Sequence, residues 1–310
     1  MIISASRRTD IPALYSSWFF KRISDGFVFV RNPMNIHMVS KIILLPSVID
    51  CIVFWTKNAT PMNNKLHLLK NYNYYFQYTV NNLPKIFEPN IPDFSTVRDT
   101  FVFLSKKNGK NRIIWRYDPI ILTDEININW HIKNFEYLCN ELNIYTNKCV
   151  ISFADYYKNT RPNMKSFNYH DMDDSQMIEI AHMLKKIADN YGLTIESCAE
   201  KINLDSVGIK HGKCIDDKLI EEIIESKINI KKDKNQRDEC GCVASVDIGS
   251  YNSCINGCRY CYANSNINIA LNNFSLHDIN SPLLFGAISE KDKIFERECV
   301  SCKVLQNELF

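Results

Sequence analysis

The chain has 310 residues and a mass of 36.1 kDa, with 45% hydrophobic and 23% charged side chains, a composition that supports a full core without disulfide staples. Its 37 basic and 35 acidic residues leave a formal charge of +2, so no bulk field marks it for nucleic acid or for an anionic membrane. No apolar run approaches the roughly 18 residues of a membrane span, and Arg7-Arg8 is followed by Thr9-Asp10-Ile11-Pro12 rather than an export segment. A cytoplasmic protein with reduced thiols and no membrane partner is expected.

Apolar runs of strand length alternate with helical periodicity along most of the chain. Strands are predicted at Ile2–Ser6, Phe27–Val30, Cys51–Thr56, Tyr74–Val80, Arg112–Tyr117, Cys149–Phe153, Leu193–Ser197 and Ala244–Ile248. Helices are predicted at Leu14–Ile23, Asn63–Lys70, Val97–Lys107, Trp130–Leu142 and Ser175–Asn190. The last is the clearest: Asp173 or Asp174 can cap it, Met177, Ile180, Ala181, Leu184 and Ala188 recur at helical spacing, and Tyr191-Gly192 ends it. Repeated strand–helix units predict an α/β fold with a parallel sheet, rolled partly or fully into a TIM-like barrel. Residues 1–265 would form this barrel, including a cysteine-rich segment at 198–261, and residues 266–310 a tail packing on it.

Most predicted strands run from apolar residues into polar ones. Ile2-Ile3 leads to Arg7, Arg8 and Asp10; Phe54-Trp55 to Lys57; Ile114-Trp115 to Arg116 and Asp118. Val150-Ile151 leads to Asp155; Thr194-Ile195 to Glu196, Cys198 and Glu200; Ala244-Ser245-Val246 to Asp247. Parallel α/β folds bind ligands at the C-terminal strand ends, so these residues would ring one mouth. Taken singly, each reads first as a solvated loop charge, with a structural ion pair a further reading; taken together, the pattern favours a shared site.

Seven of the twelve cysteines fall between Cys198 and Cys261. Cys254-Ile-Asn-Gly-Cys258-Arg-Tyr-Cys261 places three thiols on one short loop, enough to hold three irons of a cubane cluster and leave the fourth open to a ligand. Zinc with a fourth ligand, a disulfide framework and inert thiols remain open from spacing alone. With the aromatic Tyr260 before the last cysteine, the motif resembles the signature of radical S-adenosylmethionine (SAM) enzymes. That resemblance implies a [4Fe-4S] cluster with an open iron, bound SAM, and a reducing partner such as flavodoxin or ferredoxin. In those enzymes the cysteine unit usually comes first. Here it comes last, so a closed barrel would be circularly permuted, with Ala244–Ile248 beside Ile2–Ser6.

Cys198, Cys214, Cys240 and Cys242 could hold a second [4Fe-4S] cluster or a zinc ion, or Cys198 could stay free as a reactive thiol. Cys51, Cys139 and Cys149 read as core thiols. Cys299 and Cys302 have no partner pair nearby in sequence and read first as incidental. Seven histidines form no His-Glu-x-x-His pattern, and no Gly-rich phosphate loop is present. The basic stretch Lys227–Arg237 reads first as a surface loop.

Longer segments carry a family resemblance. They are Ser4-Ala-Ser-Arg-Arg-Thr-Asp-Ile-Pro12, Phe54-Trp-Thr-Lys-Asn58, Arg116-Tyr-Asp-Pro119, Ser197-Cys-Ala-Glu200, Gln236-Arg237, Cys240-Gly-Cys242, Asp247-Ile-Gly-Ser-Tyr-Asn252 and the final cysteine block. Together they resemble domain-of-unknown-function family 1848, whose C-terminal cysteines are likened to the radical SAM cluster. The resemblance implies a SAM-binding barrel and names no substrate.

The expected activity is radical SAM chemistry on an unknown, small-molecule or other substrate. Arg116, Asp118 and Cys198 are the catalytic candidates. Tyr260, Arg7, Arg8, Asp10, Lys57, Glu196, Glu200 and Arg237 are the candidates for holding cofactor. The alternative is a zinc- or iron–sulfur-binding module without catalysis, serving electron transfer, redox sensing or nucleic-acid binding.

Overall fold

The structure, a computed structural model, describes residues 1–155 and 160–304. The strands are β1 Ile2–Ala5, β2 Phe27–Asn32, β3 Asn35–Ile43, β4 Cys51–Thr56, β5 Tyr74–Thr79, β6 Ile113–Ile120, β7 Lys148–Phe153, β8 Thr194–Ser197, β9 Lys210–His211, β10 Val246–Asp247 and β11 Lys293–Glu296. The α-helices are α1 Ile11–Leu14, α2 Ser16–Asp25, α3 Phe94–Asn108, α4 Ile128–Leu142, α5 Arg161–Met164, α6 Asp174–Asn190, α7 Asp217–Ile224 and α8 Ile267–Ser275.

Eight strands form one sheet in the order β10-β1-β4-β5-β6-β7-β8-β9, every pair parallel. The α/β fold with a parallel sheet is as expected; among the described residues the two ends of this order, β10 and β9, do not pair, so of the expected partly or fully rolled barrel the structure shows no full closure. The predicted neighbour relation does hold. Ile3 pairs with Val246 and Ser4 with Asp247, so the strand before the cysteine loop lies beside the first strand. The sequence order of the sheet is therefore rotated relative to its spatial order.

Alternation along the strands divides two cores. Ile3, Ile52, Phe54, Phe76, Tyr78, Trp115 and Ile151 face the helical layer, where Trp18 and Phe19 of α2, Phe101 and Leu104 of α3, Phe135 and Leu138 of α4, and Ile180 and Leu184 of α6 pack on them. Ile2, Val53, Tyr75, Ile114 and Val150 face the other way. They are covered by Ile215, Ile220, Ile224 and Val243, from the segment that runs between the two edge strands. That segment bears three of the second set of cysteines, and its ends meet where the Val243 amide donates to Ile215 O at 3.2 Å.

Several predicted elements change identity. Phe27–Val30 is a strand, but belongs to a separate three-stranded sheet, β11-β3-β2, because its partner is the adjacent hairpin strand β3. Leu14–Ile23 divides at Tyr15 into α1 and α2. Asn63–Lys70 winds as a 3-10 helix over Thr60–Leu69. The strand around Ala244–Ile248 shortens to Val246–Asp247, which pair with Ile3 and Ser4. Helix α6 starts as expected, on a capping box in which Asp173 accepts from the Gln176 amide at 2.8 Å and Gln176 returns the contact.

Residues 266–304 follow the last strand of the main sheet. They supply α8, and β11 pairs with β3. Ser281 O accepts from Trp18 Nε1 at 2.9 Å. The parts of the predicted domain ranges at 156–159 and 305–310 lie outside the described residues. No helix among the described residues is long and apolar enough to cross a membrane.

Candidate metal centre and cavity

The C-terminal ends of the strands open into a cavity of ≈ 520 Å³. Both cysteine sets line it: Cys254, Cys258 and Cys261 on one side, Cys198, Cys214, Cys240 and Cys242 on the other. Arg7, Arg8, Asp10, Lys57, Arg116, Asp118, Glu200, Arg237 and Tyr260 also reach its wall. Glu196 does not. It pairs with Lys148 (2.8 Å) and fills the space beside Gly212, so its expected cofactor role has no geometric support.

The loop carrying Cys254, Cys258 and Cys261 is anchored at both ends. Asp247 accepts from Ser4 Oγ (2.7 Å), Ser6 Oγ (2.6 Å), the Arg7 amide (2.9 Å) and the Gly249 amide (2.9 Å), which stitches β10 to the turn after β1. Gly249 has to be glycine here: a Cβ would lie 2.1 Å from Ser6 Oγ. Farther on, Tyr15 donates to Ser253 O (2.6 Å), Asn252 N to Ala263 O (2.9 Å), and Arg259 N to Phe87 O (2.9 Å). Gly257, at φ +71°, makes the left-handed turn between the first two cysteines.

The carboxylates nearest these thiols are already engaged. Asp10 accepts from Thr56 Oγ1 (2.7 Å), the Lys57 amide (2.8 Å), the Ala13 amide (3.0 Å) and Asn256 Nδ2 (3.2 Å). Burial outweighs these bonds and pushes its carboxyl up to about 6. Glu88 takes the Lys57 ammonium at 2.8 Å and a short hydrogen bond from Tyr260. Lys57 also stands 5.5 Å from the centre of the Tyr260 ring. Burial pulls its ammonium pKa down, and Glu88 with the nearby Cys258 more than restores it, so it stays charged. Burial likewise pushes all three thiols up. A bound metal would have to stabilise their thiolates.

On the opposite wall, Cys198 Sγ and Cys214 Sγ are 3.0 Å apart. Arg116 Nη1 donates to Cys214 Sγ at 2.8 Å, and the same guanidinium is paired with Asp118. Burial acts to raise the Asp118 carboxyl, but Arg116, Ser152 and Lys57 prevail and hold it below its ordinary value. Glu200 accepts from the Phe153 amide (2.9 Å), yet burial pushes its carboxyl up to about 8. Arg7 stacks 5.6 Å from the Trp55 ring and lies 3.7 Å from Asp233; Arg8 stacks 5.1 Å from the Tyr251 ring. Arg237 pairs with Asp155.

Among the described residues, no three His, Cys, Asp or Glu side chains close around one point as the ligands of a single ion do. A cubane asks something different of the first loop: each thiolate takes its own iron. Three sulfurs facing one cavity, with the neighbouring carboxylates held by other donors, fit that demand. Lys57, Glu88, Asn81 and Thr79 are shared with, or lie in, an adjoining cavity of ≈ 590 Å³ that carries no thiol.

The segments singled out in the sequence thus supply much of the wall of one cavity. A family model described as "Domain of unknown function (DUF1848)" matches residues 2–263. The chain belongs to this family. The DUF1848 match contains both cysteine sets and stops before α8, so Cys299 and Cys302 lie beyond it. In the structure those two also lie away from the cavity, at the opposite end of the sheet: the Cys302 amide donates to Asp50, just before β4. No curated protein matches the chain. A solved structure from Bacteroides thetaiotaomicron VPI-5482, titled a "putative alpha-L-fucosidase", aligns at 15% identity over 51% of this chain and 66% of that chain, just under two thirds of its length. Its TM-score is 0.24, too low to bear on function.

Sequence reasoning missed Glu88, Asn81 and Ser152. Asn81 donates to Asp118 O (2.8 Å) and contacts Tyr260 OH (3.4 Å), so it bridges the two walls. Ser152 donates to Asp118. The only available signal was position, since Asn81 and Ser152 stand at the ends of predicted strands.

Proposed function

We propose that this DUF1848 protein is a radical SAM-type iron–sulfur enzyme acting on a substrate held in the cavity between its two cysteine walls. One observation carries the reading: Cys254, Cys258 and Cys261 face one cavity from a single anchored loop, while Asp10 and Glu88 beside them are engaged elsewhere. The loop therefore offers three ligands and leaves one coordination position for an exogenous group. When bound, a [4Fe-4S] cluster with an open iron supplies an electron to the sulfonium of S-adenosylmethionine, whose reductive cleavage gives a 5′-deoxyadenosyl radical.

The chain's own residues would bind, orient and shield. Arg7, Arg8 and Arg116 present guanidinium groups suited to carboxylate or phosphate. Asp118, held ionised by Arg116, can accept from hydroxyl or amino groups. Tyr260, fixed by Glu88 and Asn81, keeps the last two cysteines in register with the wall, and the aromatic groups Trp55, Tyr251 and Tyr262 restrict water. A low-potential donor such as flavodoxin or ferredoxin would supply electrons.

Electron paramagnetic resonance of anaerobically prepared, dithionite-reduced protein tests this. A reduced-cluster signal that changes on adding SAM, and is lost in a Cys254→Ala/Cys258→Ala/Cys261→Ala variant, is the expected result. A signal indifferent to SAM would make the protein an electron carrier or redox sensor instead. Colourless protein with stoichiometric zinc at this loop would make it a thiolate-stapled binding module.

A further inference from the structure

We infer that Cys198, Cys214, Cys240 and Cys242 form a second, separate thiolate metal centre on the wall opposite the loop, taking a thiophilic metal as either zinc or an iron–sulfur cluster. The four come from three places: the end of β8, the turn after β9 and the approach to β10. They meet on one wall of the cavity: Cys198 touches Cys214 at 3.0 Å, and Cys240 and Cys242, two residues apart, line the same cavity beside them.

The surrounding structure is built to hold that meeting. The Cys214 carbonyl accepts from two strand side chains, Tyr75 OH at 2.6 Å and Gln77 Nε2 at 2.9 Å, and the Ile215 amide donates to Cys242 Sγ at 3.4 Å. The second core sits directly beneath and contains Cys214, Cys240 and Cys242. A buried cation faces the sulfurs, with Arg116 Nη1 2.8 Å from Cys214 Sγ. The same guanidinium is paired with Asp118 on one side, and the Nη1 it turns to the sulfurs would stabilise the negative charge of a metal bound by four thiolates. All four donors are sulfur, which selects zinc or iron–sulfur over magnesium, calcium or manganese. A tetrahedral zinc site needs its sulfurs about 3.8 Å apart, and a cubane needs them wider, so the 3.0 Å contact has to open as metal enters.

This inference does not depend on the radical reading of the loop, and its test separates the two. Iron, acid-labile sulfide and zinc are measured in the anaerobically purified Cys254→Ala/Cys258→Ala/Cys261→Ala chain, with circular dichroism to confirm folding. About one zinc, or about four irons with matching sulfide, should remain per chain. Adding Cys240→Ser and Cys242→Ser should lower that remainder several-fold. A folded triple variant free of metal overturns the second centre, as does a Cys198–Cys214 disulfide found in its place. Should the triple variant fail to fold, the unaltered chain decides: metal beyond one cluster's worth supports the second centre, and a single cluster with no zinc overturns it.

Discussion

At the scale of single residues, the site depends on buried charges that have been given partners. Lys57 and Glu88 are the sharpest case, because their side chains are only 15% and 6% exposed and they stand between the cysteine loop and the adjoining cavity. Removing one member of a buried pair leaves the other desolvated and unpaired, which typically costs about 3–5 kcal/mol, whereas replacing both with apolar groups often costs far less. Glu88→Gln should therefore lower unfolding free energy by about 3 kcal/mol. The double variant Lys57→Met/Glu88→Leu should recover most of that loss. Urea midpoints of the three proteins check this, and a Glu88→Gln chain as stable as its parent would show that Lys57 finds another partner. Glu88 could not be read from the sequence. It lies in a loop with no motif spacing, and its value comes from Lys57 and Tyr260, which are distant in the chain. Cys254, Cys258 and Cys261 were readable because all their information is local.

At the scale of elements, the strands of the main sheet were legible because their burial pattern is continuous. Cys51–Thr56 matches its predicted bounds, and the four strands that follow it in the sheet agree to within a few residues. Which sheet a strand joins was not legible, as Phe27–Val30 shows, since hairpin pairing with Asn35–Ile43 is a tertiary choice. Helix α7 was missed although Asp216 caps it, accepting from Lys218 N at 2.9 Å, because its eight residues are too few for a strong periodic signal. The junction of β1 and β10 is the element-level feature on which the cysteine loop depends. Gly249→Ala drives a methyl into Ser6, and overpacking of this kind costs about 1–3 kcal/mol. Because Ser6 and Gly249 share the Asp247 carboxylate, the strain falls on the loop's first anchor. Iron bound per chain should fall in Gly249→Ala, while Asp173→Ala, which loses the α6 cap and about 1 kcal/mol, should leave it unchanged. Equal iron in both variants would show that the loop is held elsewhere.

At the scale of the whole molecule, the rotated strand order sets which segment must cross the open sheet. The chain starts inside the sheet at β1, adds strands outward to β9, then crosses one face of the sheet with residues 212–243 before ending the sheet at β10 on the other side of β1. A closed barrel would leave no need for that crossing segment. Here the segment, with α7, covers the face opposite the other helices, and brings Cys214, Cys240 and Cys242 to the cavity as it does so. The stability of the assembly on the helical side can be probed through pH. His131 of α4 is 1% exposed, bonded to Tyr117 OH through Nδ1 (2.7 Å) and to Ile121 O through Nε2 (2.7 Å). The second bond requires a proton on Nε2, so Nδ1 accepts from the tyrosine and the ring is neutral. Burial lowers its pKa from 6.5 to about 4. The unfolded chain therefore binds a proton as pH falls below about 6.5 while the folded chain does not, and stability drops until the folded pKa is reached. Between pH 7 and pH 5 this one group should cost about 2 kcal/mol. His131→Gln, measured by urea unfolding at both pH values, should be less stable than the parent at pH 7 and should lose about 2 kcal/mol less on acidification. A variant whose pH dependence equals that of the parent would place the acid sensitivity of the fold in its carboxylates instead.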